Sequence, residues 1–116
     1  MTGTVSCEKF GDHLIFILNG YVEKECADLI LKHYQVEKAN GVHFFIFDFS
    51  QVTLINSLAL GVFLDLVSDT IGDEDINFYF CAIPKSCYYG MSAVGLTNCA
   101  TEFDSLDQAK KELELT

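Results

Sequence analysis

The stretch Phe44-Phe45-Ile46-Phe47-Asp48-Phe49-Ser50-Gln51-Val52-Thr53-Leu54-Ile55-Asn56-Ser57-Leu58-Ala59-Leu60-Gly61-Val62 decides the architecture. Residues 42–49 are apolar at both odd and even positions, so both faces of this strand are covered. Such strands sit centrally in parallel sheets, under helices. Val52 to Ile55 reads as a short apolar connection. Asn56-Ser57 then opens a helix that runs to about Ile71, because Asn and Ser supply the side-chain oxygen an N-cap needs. That helix is apolar on almost every side. It is therefore deeply buried, or part of it meets a partner. Asp65, Ser68 and Asp69 mark its wet side, and Gly72 ends it.

Upstream, Thr4 to Phe10 alternates weakly and Gly11-Asp12 signals a turn. His13 to Leu18 is a continuous apolar run closed by Asn19-Gly20, so the pair reads as a hairpin. Glu23 to Ala39 reads as a helix whose stripe is Cys26, Leu29, Ile30, His33 and Val36 or Glu37. Glu23 and Glu25 open it, Lys38 lies near its end, and Asn40-Gly41 stops it.

Downstream, Asp73-Glu74-Asp75 is an acidic turn and Ile76 to Ala82 a second buried strand. Pro84 fits the first turn of a third helix running to about Val94, which Gly95-Leu96-Thr97 ends. Thr101 to Phe103 is a short strand. Ser105 caps a last helix through Leu115, with Gln108 at the capping-box position. The order β-β-α-β-α-β-α-β-α predicts one α/β layered domain over residues 1–116. Its sheet is mixed and mostly parallel, of about five strands, flanked by about four helices.

Composition narrows the function. The chain has 116 residues, 17 Asp+Glu against 7 Lys+Arg, and a net charge of −10. That excess argues against nucleic acid, which needs a basic stripe, and against an anionic membrane face. No apolar run is long enough to span a bilayer. The N-terminus lacks the pattern of a signal peptide. The five cysteines, an odd number, contain no Cys-x-x-Cys, which fits reduced thiols in a cytoplasmic protein.

No phosphate-binding glycine loop, zinc-ligand spacing or complete calcium loop is present, so no cofactor or metal is expected. Cys26 and Cys81 fall on buried elements. Cys7 and Cys87 are the more exposed candidates for a thiol nucleophile, yet few basic residues stand ready to activate them.

Ser57 carries two readings. It is part of a helix cap, or it is a hydroxyl placed where backbone N–H groups favour an anion. A phosphate there would add about −1.5 to −2 of charge without unwinding the helix.

The stretch 47–62 resembles the signature of the STAS family: a hydrophobic strand, Asp-Leu-Ser, a short connection, Asp-Ser-Ser-Gly, then Leu-Gly. Leu18-Asn19-Gly20-Tyr21-Val22, Pro84, Val94-Gly95-Leu96 and Phe103 to Ala109 match the family's other landmarks in order. Asn56 stands where the family has Asp, Leu58 where it has the second Ser, and Ala59 where it has Gly.

The resemblance implies a bacterial, non-enzymatic, anti-sigma factor antagonist-like regulator of transcription. It would bind an anti-sigma factor that is also a serine kinase, and phosphorylation of Ser57 would switch it. The implied contact surface is Asn19, Gly20, Tyr21, Asn56, Ser57, Leu58 and Ala59, with a weak homodimer as a second association. Two alternatives stand beside it. One is a non-phosphorylated STAS subunit of a transporter or stress-sensing complex, with Leu58 buried at a constitutive interface. The other is a thiol enzyme or small-ligand binder. The acids fall mainly on the first helix, the 73–75 turn and the last helix, which leaves the Ser57 region uncharged.

Overall fold

The computed structural model describes residues 3–68 and 75–115. The elements are β1 (Thr4–Phe10), β2 (His13–Val22), α1 (Lys24–Ala39), β3 (Phe44–Ile55), α2 (Ser57–Ser68), β4 (Asn77–Cys81), α3 (Lys85–Ala93), β5 (Thr101–Phe103) and α4 (Leu106–Glu112). A short 3-10 turn, Leu96–Cys99, joins α3 to β5. The strands lie in sequence order, β1-β2-β3-β4-β5. β1 pairs antiparallel with β2, and every later neighbour is parallel. This is the predicted order and the predicted mostly parallel sheet.

Strand order fixes the layers. Right-handed crossovers that step one strand at a time in one direction deliver every connecting helix to the same face. Residues of α1, α2 and α3 accordingly share one core with Leu14, Phe16 and Leu18 of β2, Phe45, Phe47 and Phe49 of β3, and Phe78 and Phe80 of β4. α4, which follows the last strand, turns back onto the opposite face against Ile15, Ile46 and Cys81. Phe47 is the hub of the first core: its ring meets those of Phe16, Phe63, Phe78 and Phe80 at centroid distances of 5.0–6.1 Å.

Three expectations need correction. First, residues 52–55 are not a connection. β3 continues through them to Ile55, twelve residues against the ten of β2. The two extra residues are absorbed as register shifts, between Asp48 and Gln51 and again between Val52 and Leu54. Core-facing positions therefore run Phe49, Val52, Ile55, three apart instead of two, and this breaks the alternation that marks a strand. β2 likewise continues past Asn19-Gly20 to Val22, with Gly20 at φ 84°, a conformation open to glycine.

Second, the core stripe of α1 is Cys26, Ala27, Ile30 and Tyr34. Leu29 and Val36 are 52 % and 53 % exposed, and His33 is exposed as well. Tyr34 sets the rotation, because its ring packs edge-on to Phe45 at 4.6 Å. Third, Cys87 is buried; the exposed thiols are Cys7 and Cys99.

The remaining ends match local chemistry. Pro84 is the N-cap of α3, one position before its first turn. Ser105 caps α4 by accepting from the Gln108 amide at 3.0 Å, and Gln108 Oε1 accepts from the Asp104 amide at 2.8 Å. α4 ends at Glu112, short of Leu115. Gly72, the end of α2 beyond Ser68, and the acids of the 73–75 turn other than Asp75 lie outside the described residues.

Candidate functional site

The C-terminal ends of β2 and β3 meet at one edge of the helical layer, the end at which open α/β sheets commonly carry their sites. Asn19 pairs with Gln51, Gly20 with Val52, Tyr21 with Leu54 and Val22 with Ile55. The Asn56 amide then donates to the Val22 carbonyl at 3.2 Å. The two sequence-predicted segments, residues 19–21 and 56–59, are thus neighbours.

Asn56 is the N-cap of α2. Its Oδ1 accepts from the Ala59 amide at 2.9 Å and its carbonyl from the Leu60 amide at 3.0 Å. That leaves the first two helical amides, of Ser57 and Leu58, for solvent or an anion. The cap is therefore not the Ser57 hydroxyl. Ser57 occupies the first helical position, exposed, and its hydroxyl makes no hydrogen bond among the described residues. Asn can replace the family's Asp here because the cap uses only an acceptor oxygen.

The other predicted residues separate by burial. Leu58 is 63 % exposed, whereas Ala59 is fully buried. Ala59 can support the loop but presents no surface. Asn19 is exposed, and Gly20 and Tyr21 are half-buried. Gly3 lies beneath this bulge: a Cβ there would sit 2.5 Å from the Tyr21 carbonyl oxygen.

α3 braces the site from the other side. The Ser86 hydroxyl donates to the Thr53 carbonyl at 3.1 Å, and Leu60 packs against Gly90. Two exposed apolar residues here escape sequence reasoning. Leu54 lies beside Tyr21, hidden by the broken alternation of β3. Tyr89, 85 % exposed, adjoins the flank of α3 that carries Ser86 and Gly90. The signal for it was the Tyr88-Tyr89 pair, since adjacent helical residues cannot both face one core.

Among the described residues no basic side chain pairs with this site, and four of the five thiols are shifted against ionisation. Burial pushes the Cys7, Cys26, Cys81 and Cys87 thiols up, Cys81 to about 12, with the Glu37 carboxylate adding to the shift at Cys7 and Asp48 at Cys81. Raised thiols are poor nucleophiles at neutral pH. Among the described residues no group of three His, Cys, Asp or Glu is placed to hold a metal, and no helix is long and apolar enough to cross a membrane. What the site offers is a hydroxyl without a hydrogen-bond partner among the described residues, on the first turn of α2, between exposed Leu54 at the end of β3 and exposed Leu58.

A family model described as the STAS domain matches residues 5–109. Solved structures share the fold. One is described as a putative anti-sigma factor antagonist from Thermotoga maritima, 21 % identical, with 95 % of this chain and 94 % of that one covered and a TM-score of 0.79. Another is an anti-sigma factor antagonist from Mycobacterium paratuberculosis, 16 % identical, covering 97 % and 94 %, with a TM-score of 0.74. A third is the Bacillus cell fate determinant SpoIIAA in its phosphorylated form, 12 % identical, covering 95 % and 99 %, with a TM-score of 0.76. Among curated protein sequences none matches this chain.

Proposed function

Given that this chain belongs to the STAS domain family, we propose that it is an anti-sigma factor antagonist. It binds an anti-sigma factor that is also a serine kinase, and phosphorylation of Ser57 releases it. The observation that carries this reading is the placement of Ser57. It is exposed at the first position of α2, its hydroxyl is free among the described residues, and Asn56 performs the capping. A kinase can therefore take Ser57 without dismantling the helix start.

The electrostatics favour a switch. An added phosphate of about −1.5 to −2 charge would be tolerated by α2, whose amides point toward it. It would not be tolerated by a partner packed on Leu54 and Leu58, because burying an uncompensated charge at an apolar contact is costly. The fold stays and the interface is lost. A phosphorylated relative of the same fold, SpoIIAA, supports the same use of the architecture.

The test is incubation with ATP and a purified serine-kinase anti-sigma factor from the same organism, followed by mass-spectrometric mapping of phosphate. Phosphate on Ser57, with Ser57→Ala still binding the kinase and Ser57→Asp not binding, is the expected result. Phosphate absent, or placed only elsewhere, overturns the switch.

A further inference from the structure

The sheet ends in β1 on one side and β5 on the other. β5 has three residues, β1 seven. Natural sheets blunt exposed edges with proline, bulges, shortness or outward lysines. β1 has no proline, and it pairs with β2 without a register shift from Thr4 to Phe10. Its one lysine, Lys9, is folded back onto Glu37 of α1 at 3.4 Å. The edge is therefore unguarded, and its backbone can take another strand.

The helix beside this edge is uncovered too. Leu29, His33 and Glu37 recur at a spacing of four, so they share one flank of α1. The Lys9–Glu37 pair turns that flank toward β1. Val36, three residues after His33, joins it. Leu29 and Val36 are 52 % and 53 % exposed. An open strand and an apolar helix flank thus lie in two stacked layers on the same side of the molecule.

Geometry and charge identify the occupant. A single extended peptide added to β1 would complete the strand layer and leave Leu29 and Val36 in water. A second copy brings strand beside strand and α1 beside α1, layer for layer. Two chains of charge −10 repel unless they meet on a neutral strip. This strip is balanced within each chain, because Lys9 pairs with Glu37, and Glu8 with Lys110 of α4 at 3.9 Å.

We propose that two copies of this chain pair their β1 strands antiparallel about a dyad at Cys7, joining the two five-stranded sheets into one, with the α1 flanks in contact above the junction. Such an isologous contact must be self-complementary, and that sets the register. A dyad normal to the sheet keeps both helical layers on one side and opposes only residues of like parity. Centred on exposed Cys7, it pairs the whole strand: Cys7 with its own copy, Val5 with Lys9, Ser6 with Glu8, Thr4 with Phe10. Centring on Glu8 or Lys9 would set like charges face to face. The proposal stands apart from the antagonist reading, and its test needs no kinase.

Sedimentation velocity over about 5–500 μM protein should show a monomer–dimer equilibrium. Cys7→Asp places two carboxylates opposite each other at the dyad, and Leu29→Glu charges the apolar flank. Each should raise the dimer dissociation constant at least tenfold. Leu58→Glu, at the start of α2, should leave it unchanged. Should Cys7→Asp fail to fold, Leu29→Glu on the helix surface decides. In a Cys99→Ser background, a short bismaleimide should link the Cys7 thiols of two copies, and adding Leu29→Glu should abolish the link. A monomer throughout the range, a dimer that survives Leu29→Glu, or a dimer broken by Leu58→Glu overturns the inference.

Discussion

Asp48 Oδ1 accepts a hydrogen bond from the Ser50 amide at 3.0 Å, inside the first register shift of β3. Asp48 is also the buried charged residue of the described chain, 7 % exposed. The two facts explain each other. Where β3 bulges, Ser50 has no partner in the β2 register, and its part-buried amide gains from an acceptor close at hand. The Asp48 carboxylate takes that amide and so fixes the direction in which β3 travels to Asn56.

Asp48→Ala should therefore destabilise the domain by about 1–3 kcal/mol. Asp48→Asn keeps an acceptor oxygen and should cost distinctly less. Urea unfolding midpoints at constant m-value make the comparison. Equal losses in the two variants would mean that the carboxylate's contact with Ser50 does not hold the bulge.

Cys81 lies opposite Asp48 in the β3–β4 ladder. Burial first, and the Asp48 charge second, push its thiol from 9.0 to about 12. An acid whose folded pKa is raised loses its proton more readily in the unfolded chain. The unfolded state thus binds fewer protons between pH 9 and 12, and stability falls across that window. One such group contributes a slope of about 1.4 kcal/mol per pH unit. Cys7, Cys26, Cys87 and Tyr79 are raised too and act with the same sign. Cys81→Ala should be less stable than wild type at pH 7, through the cavity it leaves, and lose stability less steeply from pH 9 to 11. Denaturant titrations at several pH values measure this, and parallel slopes would contradict it.

The family-level fold was legible because its signals are local and redundant. The Phe-rich run of β3, the Asn56 cap and the Ser105–Gln108 pair each announce an element without reference to the rest of the chain. The errors arose where tertiary context decides. In α1 two apolar flanks compete, and only the depth of Phe45 and Phe78 beneath Tyr34 selects Ala27-Ile30-Tyr34 over Leu29-His33-Val36. In β3 the register shifts scramble the period of two, so residues 52–55 imitate a loop. At the site, the pattern located Ser57 and its strand neighbours, but it could not tell exposed Leu58 from buried Ala59. That difference depends on where α2 lies against the sheet.

Leu58 separates two uses of the same surface. With 63 % of it exposed, its replacement by Glu removes little packing, so Leu58→Glu should fold with a Tm within about 2 °C of wild type. A switched antagonist and a constitutive subunit then part company in binding. If the chain is an antagonist, Leu58→Glu and Ser57→Asp each place a charge where the partner packs, and each should weaken kinase binding at least tenfold. If the interface is permanent and centred on Leu58, only Leu58→Glu breaks it and Ser57→Asp is nearly silent. The expected result is loss in both, measured by titration calorimetry against the purified kinase. Loss in Leu58→Glu alone would move the chain to the constitutive class, and small, equal effects would place the interface away from the α2 start.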